Sequence, residues 1–274
     1  MPPPDSSLPH GSSTPDGPRS PRAFERDINR FDGAATESTD WHQHDAGQFI
    51  LVETGITHLY TEFGTWIIPA RRIAWVPPGV LHAAKSSNGR GTGWVVIPPV
   101  VLPDLPARVC VLRASALMIS SLQRLVQLES HDRMRALLWR VIAEEMRTAQ
   151  PERLEVPMPS SPRLLKAAHC VLASPTAAIS LDRIAAQAGM SRRSFARHFR
   201  NQTGQSFARW KRAVIAQHAL QLVASGHKVS SVAFDVGYES VSAFIAMFRR
   251  LYGESPRQFL LENSGRYMDP AGMH

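Results

Sequence analysis

The sequence predicts an α+β protein, in which an N-terminal β-barrel is followed by a helical segment and an all-α domain. Short apolar runs broken by glycine and proline fill residues 24–101, a texture typical of closely spaced strands. Amphipathic helical patterns follow over residues 102–150. Two imperfect copies of a helix–turn–helix motif lie between Leu181 and Phe259. At 274 residues and 43% hydrophobic content, the chain is long enough for two domains with their own cores.

The two ends and the cysteines indicate where the protein works. Residues 1–23 are rich in Pro, Ser, Gly and Asp and lack the apolar core of a signal peptide, so a disordered tail is expected. A second tail is expected over residues 263–274. Cys110 and Cys170 provide neither a disulfide framework nor metal-ligand spacing. No apolar run approaches the roughly 18 residues of a membrane helix. We expect a cytoplasmic protein that does not contact a membrane.

Five strands are expected within residues 24–101, the proposed barrel. Each is a short apolar run bounded by turn residues. They are Phe49 to Val52, Thr57 to Tyr60, Trp66 to Ile68, Ile73 to Val76 and Gly93 to Ile97.

Two clusters in this region carry metal-ligating side chains. His42 and His44 form a His-x-His pair, and on a strand both rings would point to the same face. Gln48 follows four residues after His44. Further on, Pro77, Gly79 and His82 have a Pro-x-Gly-x-x-His spacing.

Together these clusters resemble the two motifs of the cupin barrel, over about residues 40 to 97. The resemblance implies a divalent metal, Zn²⁺, Ni²⁺ or Fe²⁺, held by His42, His44, Gln48 and His82. Cupins usually carry glutamate where this chain has Gln48, and a neutral amide does not balance the charge of the cation. The alternative is that these histidines line a polar pocket or only form hydrogen bonds within the barrel.

Two helices are expected in residues 102–150. One runs from Ser115 to Glu129 and the other from His131 to Ala149. Their apolar positions are spaced three and four residues apart, as on one helix face: Leu117, Leu122, Leu125 and Leu128, then Met134, Leu137, Leu138, Val141, Ile142 and Met146. The proline-rich residues 151–162 are expected to form an interdomain linker.

The C-terminal domain, residues 163–262, is built around the repeated motif. Gly189 precedes Gly237 by 48 residues, whereas Phe195 precedes Phe244 by 49, so the second turn carries one extra residue. Each glycine allows the positive φ of a tight turn.

A serine and a phenylalanine pair define each recognition helix. Ser191 and Ser240 are placed to cap the helices that follow them. The pairs Phe195 with Phe199 and Phe244 with Phe248 face inward at i, i+4, so the residues between them face outward. A long helix from Ser206 to Ser225 should connect the motifs rigidly and let the two recognition helices enter successive major grooves, about 34 Å apart.

The paired motifs, with Gly-Tyr-Glu-Ser before the second recognition helix and Phe-Arg-Arg-x-x-Gly-x-Ser-Pro-x-x-Phe from Phe248 to Phe259, resemble the AraC/XylS transcription regulators. The resemblance covers about residues 163 to 262. It implies binding to double-stranded promoter DNA, with RNA polymerase as a further partner of an activator, although the residues do not distinguish activation from repression. In such relatives the region of residues 102–150 looks like a helical hairpin that often pairs protomers, so a homodimer is expected. Packing of these helices only on their own barrel is the alternative.

By that resemblance the first recognition helix reads bases through Arg193, Ala196 and Arg197, with Arg192 and Ser194 beside them. Two arginines at i, i+4 suit bidentate bonds to guanine. The corresponding positions of the second recognition helix form a nearly apolar surface that suits thymine methyl groups and DNA shape: Val241, Ser242, Ile245 and Ala246.

The second motif is expected to anchor on phosphates through Ser240, Arg249 and Arg250. For the two arginines the alternative is solvated charge at a helix C-terminus, which the helix dipole favours. Charge supports a DNA surface in this domain. Residues 163–266 contain 15 Lys and Arg against 5 Asp and Glu, a net charge of +10, whereas the whole chain carries +8.

The sequence therefore predicts a sequence-specific transcription regulator whose promoter binding is modulated by a small molecule or metal in the barrel. One alternative is a cupin-type metalloenzyme fused to a DNA-binding domain, with His42, His44 and His82 as ligands of a catalytic metal. Another is an architectural DNA-binding protein without an inducer.

Overall fold

The computed structural model describes residues 28–32, 39–86, 92–98, 105–129, 131–149, 152 and 154–262. The tails expected over residues 1–23 and 263–274 lie outside these described residues. The predicted α+β class is confirmed, because strands fill the first half and helices the second.

Two antiparallel sheets form the N-terminal domain. Its strands are β1 (Ile28–Asp32), β2 (Gln48–Thr54), β3 (Ile56–Thr61), β4 (Gly64–Pro69), β5 (Arg72–Val76), β6 (His82–Ser86), β7 (Thr92–Val96), β8 (Cys110–Arg113) and β9 (Glu155–Pro157). One sheet has the order β1-β7-β2-β5-β8 and the other β6-β3-β4-β9. All five strands expected from the sequence are confirmed within a residue or two of their predicted ends.

The predicted domain boundaries differ from the structure at two strands. The barrel was expected to end at residue 101, yet β8 pairs with β5 through Ala74 and Val111. The expected linker over residues 151–162 contains β9, in which Val156 pairs with Thr65 of β4. Val156 is fully buried, so this short apolar segment gains more from completing the sheet than from remaining a free connector. The surrounding prolines conceal the strand in the sequence.

The helical hairpin packs on the five-stranded sheet. Its helices are α1 (Ala116–Gln127), capped by Ser115, and α2 (Arg133–Thr148), capped by Asp132. The buried face of α2 runs through Trp139, which joins Phe49 of β2 in one apolar cluster. The predicted apolar stripes are therefore wrong in part, because three of their members are exposed: Leu117, Met134 and Leu137.

The C-terminal domain is helical throughout its described length. It comprises α3 (Pro162–Ala173), α4 (Leu181–Gln187), α5 (Arg192–Thr203), α6 (Phe207–Ala224), α7 (Val229–Asp235), α8 (Val241–Tyr252) and α9 (Pro256–Glu262). Helices α4 and α5 form the first motif, α7 and α8 the second, and α6 joins them. Of the helices in the described ranges, none has the length and apolar character needed to cross a lipid bilayer.

Helix α6 also holds the two domains together. Trp210 Nε1 donates to the carbonyl of Pro157 at 2.7 Å, and Gln217 Nε2 donates to the carbonyl of Leu154 at 2.9 Å. One turn further, Gln221 Nε2 lies 2.8 Å from Nε2 of His58 on β3. Residues seven and four apart share one helix face, so a single face of α6 lies along β9 and reaches β3.

Candidate DNA interface and candidate metal centre

The first recognition helix, α5, presents two exposed arginines on a firmly built helix. Ser191 Oγ accepts a hydrogen bond from the backbone N–H of Ser194 at 3.2 Å, which caps the helix as predicted. Phe195 and Phe199 are fully buried, and Arg193 and Arg197 are exposed on the other side. Rotation of α5 is therefore restricted, and its basic face is turned outward.

Two other predicted contact residues of α5 already have partners within the protein. Arg192 Nη1 donates to Asp182 Oδ2 at 2.9 Å, in an exposed ion pair with the first turn of α4. The Ser194 hydroxyl oxygen lies 3.3 Å from His198 Nδ1, which also donates to the Ser194 carbonyl at 2.7 Å, and Ala196 is only partly exposed. Arg193 and Arg197 are thus the residues of this face best placed to reach DNA.

The second recognition helix, α8, has the same construction with a different surface. Ser240 Oγ caps it by accepting from the backbone N–H of Ala243 at 3.2 Å. Phe244 and Phe248 are fully buried. Of the four predicted contact positions, Ser242 and Ala246 are exposed, whereas Val241 and Ile245 are partly buried and pack against the apolar core. Arg249 and Arg250 are exposed in the last turn of α8.

The extra residue of the second turn is confirmed. Four residues separate α4 from α5, whereas five separate α7 from α8. Gly237 has φ of 83°, and a Cβ added there would lie 2.5 Å from Thr176 Oγ1. Glycine is required at this position both for its backbone conformation and for the close approach of the α3–α4 loop.

Three histidines and a glutamine meet inside the barrel. The ligand atoms of His42, His44 and His82 all lie within 4.8 Å of one another. Gln48 Oε1 is 3.0 Å from His44 Nε2, and Gln48 Nε2 is 2.8 Å from His82 Nε2. All four side chains are at least nine-tenths buried. The structure thus brings together all four residues that the sequence predicted as a cluster.

Local backbone, rather than one strand, sets the positions of these rings. His42 lies outside the named strands and forms a two-way backbone bridge with His82 on β6, with both N···O distances 2.9 Å. His42 and His44 therefore do not lie together on a regular strand, although the two rings still converge. Gly47 allows this turn to lie against the sheet, because a Cβ there would come within 2.0 Å of the Trp75 ring.

Backbone carbonyls fix the orientation of all three imidazoles. Nδ1 of His42 donates to the carbonyl of Asp40 at 2.8 Å, and Nδ1 of His82 donates to the carbonyl of Val80 at 2.7 Å. Nδ1 of His44 bonds the carbonyl of Ala46. An Nδ1–H donor leaves a lone pair on Nε2, the arrangement that usually surrounds metal-bound histidine. Burial lowers the pKa of His82 to about 4, which keeps this ring in the neutral form that binds metals.

Gln48 faces a hydrogen-bonding conflict that a cation would remove. Its amide lies between Nε2 of His44 and Nε2 of His82, both of which carry lone pairs in these tautomers. The amide N–H can satisfy one of them, but its oxygen then faces the lone pair of the other. Rotating the amide by 180° only exchanges which of the two Nε2 atoms faces the N–H and which faces the oxygen. A cation among these atoms would be attracted by the oxygen and by both nitrogens.

The sequence alone did not identify the residues that position the rings. The carbonyls of Asp40, Ala46 and Val80 carry no side-chain signal, and only the glycine at position 47 hints at close packing. The buried His58 was also missed. Burial, then the charges of Lys85 and His218, lower its pKa to about 3.

Known proteins match both halves of this architecture. Residues 30–167 match the family model of the AraC-like ligand binding domain, which is half of the chain, and residues 184–262 match a helix-turn-helix domain. The chain belongs to the AraC family of transcription regulators. It is an AraC-type transcription regulator with an N-terminal ligand-binding domain and a C-terminal DNA-binding domain.

Individual relatives can be given with their extent of similarity. The HTH-type transcriptional regulator NimR of Escherichia coli (strain K12) is 28% identical over 222 residues, which cover 80% of this chain and 81% of NimR. A structure of ToxT from Vibrio cholerae O395 is 13% identical, with a TM-score of 0.38, over 87% of this chain and 97% of that one. The DNA-binding domain of AdpA, in complex with a target DNA, is 30% identical, with a TM-score of 0.36, over 39% and 96%.

Proposed function

We propose that this AraC-family regulator reads promoter DNA mainly through α5 and that a divalent metal ion bound in its barrel changes its promoter affinity. The observation that carries the metal proposal is the Gln48 amide, which faces the Nε2 atoms of both His44 and His82. Three imidazole nitrogens and an amide oxygen in one buried space form a donor set that a divalent cation can join.

Sequence discrimination rests on Arg193 and Arg197 in this proposal. Both are exposed, four residues apart on a helix whose opposite side is fully buried. Guanidinium groups form bidentate bonds with guanine O6 and N7. The surface of α8 offers Ser242 as its only polar side chain among the four predicted base-reading positions, so α8 contributes shape and apolar contacts. In this proposal the phosphates of the DNA backbone are bound by Ser240, Arg249 and Arg250.

The donor set of the barrel suits Zn²⁺, Ni²⁺ or Fe²⁺. His42, His44 and His82 would supply imidazole nitrogens and Gln48 an amide oxygen, a neutral set that borderline-soft cations accept. The bound cation supplies a cross-link among the segment that precedes β2, β2 itself and β6. We propose a regulatory rather than catalytic use of this cross-link, and turnover of an organic substrate by metal-loaded protein would contradict it.

One sheet connects the proposed metal site with the DNA-binding domain. His82 lies on β6, which pairs with β3 in register Thr61 to His82. Strand β3 carries His58, which contacts Gln221 of α6 at 2.8 Å. Because α6 joins the two motifs, movement of β6 and β3 would change how the motifs are held.

The first test is the metal content of the purified full-length protein by elemental analysis, followed by promoter affinity with and without a chelator. We expect about one metal ion per chain and a change in DNA dissociation constant of about 5- to 150-fold on chelation, the usual range for coupled sites. His82→Ala should lose the metal and its effect on DNA binding. His131→Ala, at an exposed histidine between α1 and α2, should change neither. Folded protein that binds no Zn²⁺, Ni²⁺ or Fe²⁺ would refute the proposal.

The connection through α6 has a separate test. Gln221→Leu should keep the metal and basal DNA binding but reduce the metal-dependent change in affinity. An unchanged response in this variant would exclude the route through His58.

We also propose a homodimer formed through the α1–α2 hairpin. Leu117, Met134 and Leu137 are about half exposed, at 54%, 46% and 53%, whereas the opposite sides of the two helices are buried on the sheet. Leu137→Glu should yield monomers in light scattering if this face pairs protomers, and an unchanged mass would exclude it. RNA polymerase is the further partner expected of a promoter-bound activator, and transcription in vitro with the purified enzyme tests it.

A further inference from the structure

The loop between α3 and α4, residues 174–180, contacts the cores of both helix–turn–helix motifs. Ala177 packs against the apolar cluster that contains Phe244 of α8. Two residues later, Ile179 packs against the cluster that contains Phe195 of α5. One short loop thus joins two hydrophobic cores that belong to different motifs.

The loop also lies directly against the turn of the second motif. The N–H of Ala177 donates to the carbonyl of Val236 at 2.8 Å. At the next residue, Gly237, an added Cβ would lie 2.5 Å from Thr176 Oγ1 and 3.3 Å from the nitrogen of Ala177. Glycine permits this close approach, and the backbone hydrogen bond holds the loop and the turn together.

Lys211 of α6 fastens the same loop to the helix that joins the motifs. Its ammonium donates to the carbonyl of Ala177 at 2.9 Å and to that of Ile179 at 2.6 Å. Burial, then the charge of Arg212, lower the pKa of Lys211, because the ammonium is partly removed from water. Hydrogen bonds from a charged donor are stronger than neutral ones and compensate for the lost hydration. Lys211 therefore binds the two loop residues that bridge the cores.

Helix α6 by itself leaves a point at which the second motif could turn. The helix ends at Ala224, and Gly226 has φ of 94° before α7 begins at Val229. A glycine turn of this kind can change direction at little steric cost. The α3–α4 loop is joined to α6 through Lys211 and to the second turn through Val236, so it provides a second attachment that restricts this rotation.

We propose that Lys211 and the α3–α4 loop fix the separation of the two recognition helices, so that this regulator accepts operators of one spacing between the bases at α5 and those at α8. Lys211 is a positioning residue that acts on specificity without touching DNA. The proposal rests on the proposed function in one respect, since it takes α5 and α8 as the helices that contact the bases.

The geometry of B-DNA makes such a restriction selective. One turn of the duplex contains about 10–10.5 base pairs, so one inserted base pair shifts the second site by about 3.4 Å and rotates it by about 35°. A fixed pair of helices cannot follow both changes, whereas a pair with one loose attachment can adapt to them. Spacing selectivity is therefore the property that the Lys211 contacts should control.

The first test measures the helix separation without DNA. Spin labels at Asn201→Cys and Ala243→Cys, both exposed on the recognition helices, are introduced into full-length Cys170→Ser protein, because Cys170 is exposed and would also react. Electron–electron double resonance should give a narrow distance distribution that broadens in Lys211→Met and narrows again in Lys211→Arg, which keeps charged donors. Lys166→Met, at an exposed lysine of α3, is the matched control and should change nothing.

The second test measures operator spacing. An operator is selected from random DNA by the full-length protein, and one base pair is inserted between the α5 and α8 contacts mapped by footprinting. The insertion should weaken binding of the unaltered protein at least about tenfold, because base contacts are lost or the DNA is deformed. For Lys211→Met the same insertion should cost no more than about threefold, while the base preference at the α5 contacts stays the same. Lys211→Arg should restore the tenfold loss.

Three results would overturn the proposal. The first is a distance distribution in folded Lys211→Met that is as narrow as in the unaltered protein. The second is an equal loss on insertion in both proteins, or no loss in either. The third is a weakening by Lys211→Met that is the same on both operators and lowers the slope of log affinity against log salt by about 0.9, since Lys211 would then be a phosphate contact.

These results are separable from failure of the proposed function. Base reading by α5 is tested by replacing Arg193 and Arg197, which should change base preference and leave the distance distribution unchanged. Lys211→Met should do the reverse. If Lys211→Met does not fold, as judged by circular dichroism, Lys211→Gln replaces it in both tests, because its amide is neutral and shorter than the lysine side chain.

Discussion

The two helix–turn–helix motifs have nearly the same interior and very different exteriors. Each recognition helix is capped by a serine, Ser191 or Ser240, and ends at a glycine with positive φ. Each buries a phenylalanine pair completely. The outward positions of α5 carry arginines, whereas those of α8 are almost entirely apolar. The buried residues fix the position of each recognition helix, and the outward side chains determine which groups of DNA that helix could contact.

The interiors differ in how each motif is attached to its neighbours. In the first motif, Phe195, Phe199, Phe207 and Trp210 form one aromatic cluster with α6. In the second, Phe248 contacts Tyr252 and Phe259, and the ring of Phe259 lies under Arg72 of the barrel at 5.6 Å. Helix α9, which packs on α8 of the second motif, is therefore in direct contact with the sensor, while the first motif carries the arginines. Together with the proposed function, this difference predicts a division of labour in which α5 reads bases and the second motif responds to the state of the sensor.

The largest effect is expected from removing the basic surface of α5. Arg193→Ala with Arg197→Ala should weaken promoter binding by about 2–6 kcal/mol, since each bidentate guanine contact contributes about 1–3 kcal/mol. The preference over random DNA should fall in parallel. Fluorescence anisotropy with a promoter fragment and a scrambled fragment measures both quantities.

The matched change on α8 is Ser242→Ala, which should lower affinity no more than about 13-fold, because one neutral hydrogen bond contributes only about 0.5–1.5 kcal/mol. Equal losses from the two helices would contradict the division of labour. Unchanged thermal unfolding in both variants is the control, since all three side chains are exposed.

The glycine turns of the two motifs give a second comparison, in which the expected effects are smaller. Gly237→Ala imposes an L-residue at φ of 83° and brings a Cβ within 2.5 Å of Thr176 Oγ1. Gly189→Ala imposes φ of 63° but has no atom within 4 Å of the new Cβ. The backbone term is about 1–2 kcal/mol for each. Only Gly237→Ala adds a steric conflict, so it should show the larger loss in free energy of unfolding.

Thr176→Ala isolates that conflict, because it removes the oxygen that the new Cβ would meet. In this background, the cost of Gly237→Ala should fall toward that of Gly189→Ala, a non-additivity that chemical denaturation can detect. If both substitutions lowered the free energy of unfolding equally in the protein with Thr176 present, the α3–α4 loop would have moved to accommodate the new Cβ without loss of stability.

The features that the sequence predicted depend on residues close together in the chain, whereas those it did not predict depend on contacts between distant residues. Both motifs were predictable because their signals are local: a glycine turn, a serine cap and phenylalanines four residues apart. Strand β9 was not, since it owes its conformation to β4, almost a hundred residues earlier, and its prolines indicate a linker. The sequence also did not predict that Leu117 and Leu137 are exposed. Each helix packs through other residues, and Trp139 lies on the buried face of α2.

The same limit applies to the candidate metal centre. His42, His44, Gln48 and His82 could be grouped because their two short motifs resemble those of the cupin barrel. The carbonyls that orient their rings could not, since a carbonyl is common to every residue.

The smallest effect concerns the phosphate contacts proposed for the second motif. Arg249→Gln and Arg250→Gln should each reduce the slope of log affinity against log salt by about 0.9 and leave the ratio of promoter to random affinity unchanged. The reason is that phosphate contacts release counterions but carry no sequence information. Arg140→Gln, equally exposed but on the sensor, should leave the slope unaltered. If neither Arg249→Gln nor Arg250→Gln changes it, these arginines are solvated charges that complement the C-terminal dipole of α8, and anchoring by the second motif falls to Ser240 and the helix N-terminus.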